Sequence, residues 1–247
     1  MALFHSSASP GIVVNEIDLT GVVPNVQTTT GAYVGNFRWG PAEVVTLVDN
    51  EATLVSKFAS PDDDNSIDFH SAAYFLRYSN SLQVVREVVP GAVNSFDSES
   101  AFSYDSGSVT GIRTGNFGQT VKNDDDWDTQ ISARDSDRHS FLGRYPGALG
   151  NSLSVHTCPA LSSVDSSNTV FNAWTYKSSF DGSPRTSDHA TGKSATLDEM
   201  HVAVVDRLGE FTGTAGAVLE TYPFVSLALG AKNTDGSSNY IKDVINN

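Results

Sequence analysis

GAYVGNFRWGPAEVVTLVDNEATLVSKFASPDDDNSIDFHSAAYFLRYSNSLQVVREVVPG, residues 31–91, is the stretch that decides the fold. Ala32–Phe37 is a β run, ended by a turn built on Gly40–Pro41. Val44–Val48 reads as a second strand, and Asp49 or Asn50 can cap a short helix over Glu51–Phe58 with Leu54, Val55 and Phe58 on one face. After the acidic loop that follows Pro61, Ser66 can cap a second helix running to about Tyr78. There Phe69, Ala72, Ala73 and Leu76 fall at i, i+3, i+4 and i+7, one apolar stripe. Leu82–Val89 is a strand stopped by Pro90–Gly91. Strand, strand, helix, helix, strand is the pattern of an α/β or α+β layer.

Upstream, residues 1–30 read as an extended arm with one short strand near 12–19, because Gly11, Gly21 and Pro24 and a Thr run flank the β-branched GIVVNEIDL. That strand could lie at the edge of the chain's own sheet or pair with another subunit. Downstream, residues 92–142 are Ser- and Gly-rich with short alternating pieces, and read as an inserted β-rich module that includes an acidic surface turn at Asp124–Asp126 and Asp128. Residues 143–156 and 200–247 return to the core. They carry a strand entered at Ser152–His156, a hairpin of His201–Arg207 and Val218–Val225, and a final amphipathic helix capped by Asn239. Residues 157–199 are a Ser/Thr/Asp-rich loop or hairpin excursion with Phe171, Trp174 and Phe180 as sparse apolar anchors. The expected fold is thus an α/β (α+β) core with an inserted small β-rich domain and an extended N-terminal arm.

Composition narrows the function. With 29 acidic against 15 basic residues the 247-residue chain carries a net charge of −14, so a phosphate backbone is repelled and nucleic-acid binding is disfavoured. No run nears the ~18 apolar residues of a membrane span. The first basic residue is Arg38, which argues against a secretory or transit signal. One cysteine, Cys158 before Pro159, excludes an internal disulfide framework and a multi-cysteine zinc site, and reads as a buried structural thiol.

The tempting chemical motifs fail on spacing. TGKS at 191–194 lacks the glycine of a phosphate-binding loop, since Ser187 stands five residues before Gly192. Asp62, Asp64, Ser66 and Asp68 fall at calcium-loop offsets, but Ile67 replaces the turn glycine and Ala73 the bidentate acid. His5, His70, His139, His156, His189 and His201 show no metal-ligand spacing, and His70 sits beside the helix stripe as a boundary residue. The expectation is no catalytic residue, no metal and no cofactor.

Four segments, in order, resemble the contractile tail sheath proteins of myovirus-type bacteriophages. SPGIVVNEIDLTGVVPNVQTTTGAYVGNFRWGPAEVVTLV (9–48) looks like the family's opening, FHSAAYFLRYSNSLQVVREV (69–88) like its helix and following strand, RYPGALGNSLSV (144–155) like its Y-P-G-x-x-G-N-x-L segment, and ETYPFVSLALGAKNTDGSSNYIKDVIN (220–246) like the stretch before its large C-terminal domain. The resemblance implies a structural subunit, not an enzyme, polymerising helically with copies of itself around a tail tube. It implies contraction on a baseplate signal to drive the tube through the host envelope during genome ejection. It places the protein in the virion tail, assembled in the host cytoplasm, with no nucleic-acid or membrane partner. The arm strand, Ile12, Val13, Val14, Glu16, Ile17 and Leu19, would join a neighbour's sheet. The family's large C-terminal domain is expected to be absent from this chain, so contacts to tube and baseplate would lie mostly outside it. The other readings are a tailocin or type VI-like sheath subunit and, further off, a virion decoration protein or adhesin.

Overall fold

A computed structural model describes residues 30–96, 108–109, 120–131, 141–160 and 169–246. The arm over 1–29 lies outside the described residues, as does most of 97–119. The described chain is an α+β structure of three sheets and several helices.

The first layer follows the opening sequence reading closely. β1 (Gly31–Asn36), β2 (Val45–Val48) and β3 (Leu82–Glu87) form a sheet in the order β1-β3-β2, with β1 parallel and β2 antiparallel to the central β3. Helices α1 (Glu51–Phe58) and α2 (Ser66–Leu76) cover one face. Asn50, not Asp49, caps α1: its side chain accepts from the Thr53 N–H at 2.8 Å. Ser66 is not the cap of α2. Asn65 holds that position, but its side-chain oxygen accepts from the Asp62 N–H instead, so the loop takes the cap's bond. The helix ends at Leu76, two residues short of Tyr78. Phe37, Leu54, Phe58, Phe69, Leu82 and Val84 fill the interior between helices and sheet. Gly40 turns the chain out of β1 at φ +101°, and a Cβ there would lie 2.5 Å from the Lys57 carbonyl.

Beyond β3, β4 (Asn94–Phe96) pairs antiparallel with β6 (Leu142–Pro146). The third sheet runs in the order β5 (Ser108–Val109), β7 (Leu153–Pro159), β8 (Glu199–Asp206), β9 (Ala217–Ser226), all antiparallel. The expected β8–β9 hairpin with its long connection is present. β8 is buried along nearly all its length, with Met200 and Val202 in one apolar cluster and Ala203 and Val205 in another.

Three local expectations are corrected. The acidic run is not a turn: Asp124 opens helix α3 (Asp124–Ile131), where the Asn123 side chain accepts from the Asp126 N–H at 3.0 Å and three acids face the helix N-terminus. In the 157–199 excursion the described residues contain no hairpin. They form two short helices, α4 (Thr169–Ala173) and α5 (Asp188–Gly192), and a 3₁₀ turn (Lys177–Ser179), each too short to show a helical period. Asn239 does not cap the last helix, α6 (Ile241–Ile245). Tyr240 holds that position, while the Asn239 amide donates to the Phe224 carbonyl at 2.9 Å and ties the loop to β9.

Candidate interaction surface

Alternation and register together give the first sheet an unusual outer face. On β3 Leu82, Val84 and Arg86 point inward, so Gln83, Val85 and Glu87 point out. Register places Val34 of β1, Val85 of β3 and Val45 of β2 in one row across the three strands, and Ala32, Gln83 and Leu47 in the next. Val34, Val45 and Leu47 are 58%, 60% and 59% exposed. Asn36 and Glu87 close the polar end of the face. Among the described residues nothing covers this apolar band, and β1 and β2 both leave an outer edge unpaired.

On the far side of the same layer, α2 turns a second stripe to solvent. Ile67, His70 and Tyr74 fall three to four residues apart on it, opposite the buried Phe69, Ala72 and Ala73, and Tyr78 lies in the turn just past its end. Ile67 is 82% and Tyr78 92% exposed, and the Arg77 guanidinium sits 5.1 Å from the Tyr74 ring centre. His70 is therefore an exposed residue of this stripe and not a boundary one.

The layer is held to the rest of the molecule by Arg86. Its buried guanidinium donates to the carbonyls of Phe37 (2.7 Å), Gly40 (2.9 Å) and Pro146 (2.8 Å), joining β1, the turn after it and β6. Burial lowers its pKa to about 10, so the charge persists at neutral pH. Arg38 adds ion pairs to Asp62 (3.1 Å) and to Glu210, which lies past β8. The Trp39 ring meets Tyr145 and Phe211 edge-on at 5.6 and 5.3 Å.

Among the described residues, the buried His201, Asp206 and Asp198 are bound into structural hydrogen bonds, while His189 Nε2 is buried without a partner. His201 is fully buried, stacked on Phe180 at 4.5 Å, and its Nδ1 accepts from the Phe224 N–H at 3.0 Å. Nε2 therefore carries the proton and donates to the Gly182 carbonyl at 2.7 Å. Burial keeps the ring neutral by lowering its pKa. Asp206, also fully buried, accepts from the Ser152 hydroxyl (2.6 Å), the Thr212 hydroxyl and the backbone N–H groups of Gly209, Glu210, Phe211 and Thr212. Burial pushes that carboxyl up, but the Ser152 and Thr212 bonds outweigh it and hold the pKa below the ordinary value. Gly209 makes this loop possible: its φ is +79°, and a Cβ would fall 2.7 Å from the Ala215 nitrogen. Asp198 is held likewise by Ser187 and Ser226.

Cys158 is buried, as the sequence suggested, and burial raises its thiol pKa to about 11. Asp62 and Asp68, the calcium-loop candidates, are spent on Arg38 and on Tyr33 and Asn36. Among the described residues no group of three or more His, Cys, Asp or Glu could hold a metal ion, and no helix is long and apolar enough to cross a membrane. A cleft of about 580 Å³ lies between β6, the third sheet and α3, but its charged lining is paired internally: Arg144 with Asp124 at 3.2 Å, and Glu220 with the Tyr222 hydroxyl at 2.6 Å. The predicted interface residues Ile12, Val13, Val14, Glu16, Ile17 and Leu19 lie outside the described residues. The surface that the sequence reading missed, the Val34–Val85–Val45 row, was signalled only by strand alternation combined with register, and register depends on tertiary pairing.

No protein-family model matches the chain. Three characterised proteins are similar to it. One, named "Tail sheath protein", from Salmonella phage ViI, is 33% identical over 219 residues, which is 88% of this chain and 29% of that protein. Proteins of the same name from Enterobacteria phage T4 and Vibrio phage KVP40 are 44% identical over 80 residues and 42% over 78, each about a third of this chain and 12% of the relative. The chain thus spans less than a third of the length of the relatives it matches.

Proposed function

We propose that this chain, whose homologues are the tail sheath proteins of myovirus-type bacteriophages, is itself a structural part of such a sheath. The similarity running through 88% of its length carries the reading. The packing agrees with it: an apolar sheet face and open strand edges suit repeated protein contact, and the buried titratable groups serve the fold.

In the full proposal subunits polymerise helically around a tail tube, through heterologous contacts that do not close into a point-group ring. On a baseplate signal the lattice shifts as rigid bodies to a wider, shorter state, and the difference in intersubunit contacts drives the tube through the host envelope. The arm over residues 1–30 adds its strand at 12–19 to a neighbour's sheet, residues 92–142 form an outward module, and the protein resides in the virion tail after assembly in the host cytoplasm. Electron microscopy of the assembled protein tests the reading. Striated tubes are expected, shortened or lost when Met1–Leu19 is deleted; discrete small particles at high concentration would overturn it.

A further inference from the structure

We infer that the apolar outer face of the first sheet docks onto the outer stripe of α2 on a second copy of this chain. The inference rests on the sheath reading, in which copies repeat along a lattice, and names one of its contacts.

Three observations carry it. The sheet is mixed, β1 parallel and β2 antiparallel to β3, and a sheet face left to water carries polar residues in alternation, whereas the outward positions here hold Val34, Val45 and Leu47. Among the described residues α1 and α2 cover one face, and none covers Val34, Val45 and Leu47 on the other. A helix is one of the covers that complete such a layer, and an exposed helix face is present on the opposite side of the same layer at Ile67 and Tyr74, with Tyr78 in the turn just past it. Finally, the charges match. Glu87 ends the apolar rows of the sheet face, and the Arg77 guanidinium lies over Tyr74 beside the α2 stripe. Pairing two sheet faces with each other would bring no cation to Glu87.

The geometry also fixes the kind of assembly. The two faces point away from each other across one layer, so face-to-stripe docking is heterologous and propagates, alternating sheet and helix from copy to copy. The exposed aliphatic side chains of the face are few, Val34, Val45 and Leu47, so a single contact is weak and gains its effect by repetition.

Sedimentation velocity tests this on the whole chain. Val34→Lys with Val45→Lys blocks the sheet face, and Ile67→Glu with Tyr78→Glu blocks the stripe; all four positions are exposed, and circular dichroism checks that the fold survives. Each double variant is expected to weaken self-association by at least about tenfold. Mixed, the two should form a two-chain species that grows no further, because one intact face of each remains. Glu87→Arg and Arg77→Glu should each weaken association, and together restore it. If both blocked variants assemble like the unaltered chain, or only the sheet variant loses assembly, the docking is overturned. It is also overturned if the sheet variant's melting temperature falls while it is a monomer, since the face is then covered by the chain's own segments. Tubes formed by blocked variants would leave the sheath reading standing; an unaltered chain that forms no assembly would bring down both.

Discussion

Around α1 and α2, Phe37, Leu54, Phe58, Phe69, Leu82 and Val84 pack as one apolar cluster, with Asp68 of α2 accepting from Tyr33 and Asn36 at its margin. Around β8, by contrast, the apolar clusters are small, and the fully buried His201 and Asp206, with Asp198 beside them, tie loops and strands together through hydrogen bonds. The first region is cohesive but unspecific in its chemistry. The second is specified by shared hydrogen bonds that fix loops and strands together, although Trp174 Nε1 and Arg207 Nε stay buried there without a partner. An assembly subunit can use both: a stiff apolar layer that presents faces outward, and a polar-anchored sheet whose loops have one geometry.

Truncating the apolar layer is the strongest way to strain that contrast. Phe58→Ala removes a ring packed at 4.8 Å on Phe37 and is expected to destabilise by about 4 kcal/mol, read by chemical denaturation. Asp206→Ala leaves several buried donors without an acceptor and is expected to cost about 3 kcal/mol. The two sites belong to different regions, so the double variant should be additive within about 0.5 kcal/mol. Strong coupling would show that the regions are one energetic unit joined through Arg86.

Acid separates the regions by a different route. Burial lowers the pKa of His201 and His156, so each has a folded value below its unfolded one and binds fewer protons when folded. Their contribution is present above about pH 6.5 and is lost as pH falls through the folded values, with a slope that approaches about 1.4 kcal/mol per unit for each ring. Asp206 and Asp198, lowered from 3.8, extend the loss below pH 4, while Glu199, raised by burial, works in the opposite sense near its own titration. Hydrogen exchange between pH 7 and 5 should therefore loosen the β7–β8–β9 amides before those of α2, and His156→Gln should flatten the slope.

The same contrast explains what the sequence disclosed. The first layer was readable in its elements, because Phe69, Ala72, Ala73 and Leu76 repeat at helical spacing and the breakers Gly40–Pro41 and Pro90–Gly91 follow strands that end at Asn36 and Glu87. The 157–199 stretch was not, because α4 and α5 are five residues each, and what places Trp174 and Phe180 is the buried His201 more than twenty residues away. His201 itself reads in sequence as one polar residue in an apolar strand. Asn123 before three acids was a legible helix start that composition disguised as a turn. The open sheet face needed register, which no single strand contains.

Small effects mark the limits of each region. Asn50→Ala removes the α1 cap and is expected to cost about 1 kcal/mol, seen mainly in the exchange of the first α1 amides.

Asp124→Asn is expected to do least, under about 0.5 kcal/mol, although Asp124 both opens α3 and pairs with Arg144 at 3.2 Å. The partners are 77% and 63% exposed, so water and salt screen the attraction and the long Arg144 side chain loses entropy in holding it. Asp125 and Asp126 remain in the first turn to meet the helix dipole, and the Asn123 cap bond runs to the Asp126 N–H without involving Asp124. A larger loss in thermal melts at 0.15 M salt would mean that Asp124 is more enclosed in the whole molecule than in the described residues. The cleft between α3 and the third sheet would then belong with the polar-anchored region, and the division between the two halves would fall at β6 instead of at Arg86.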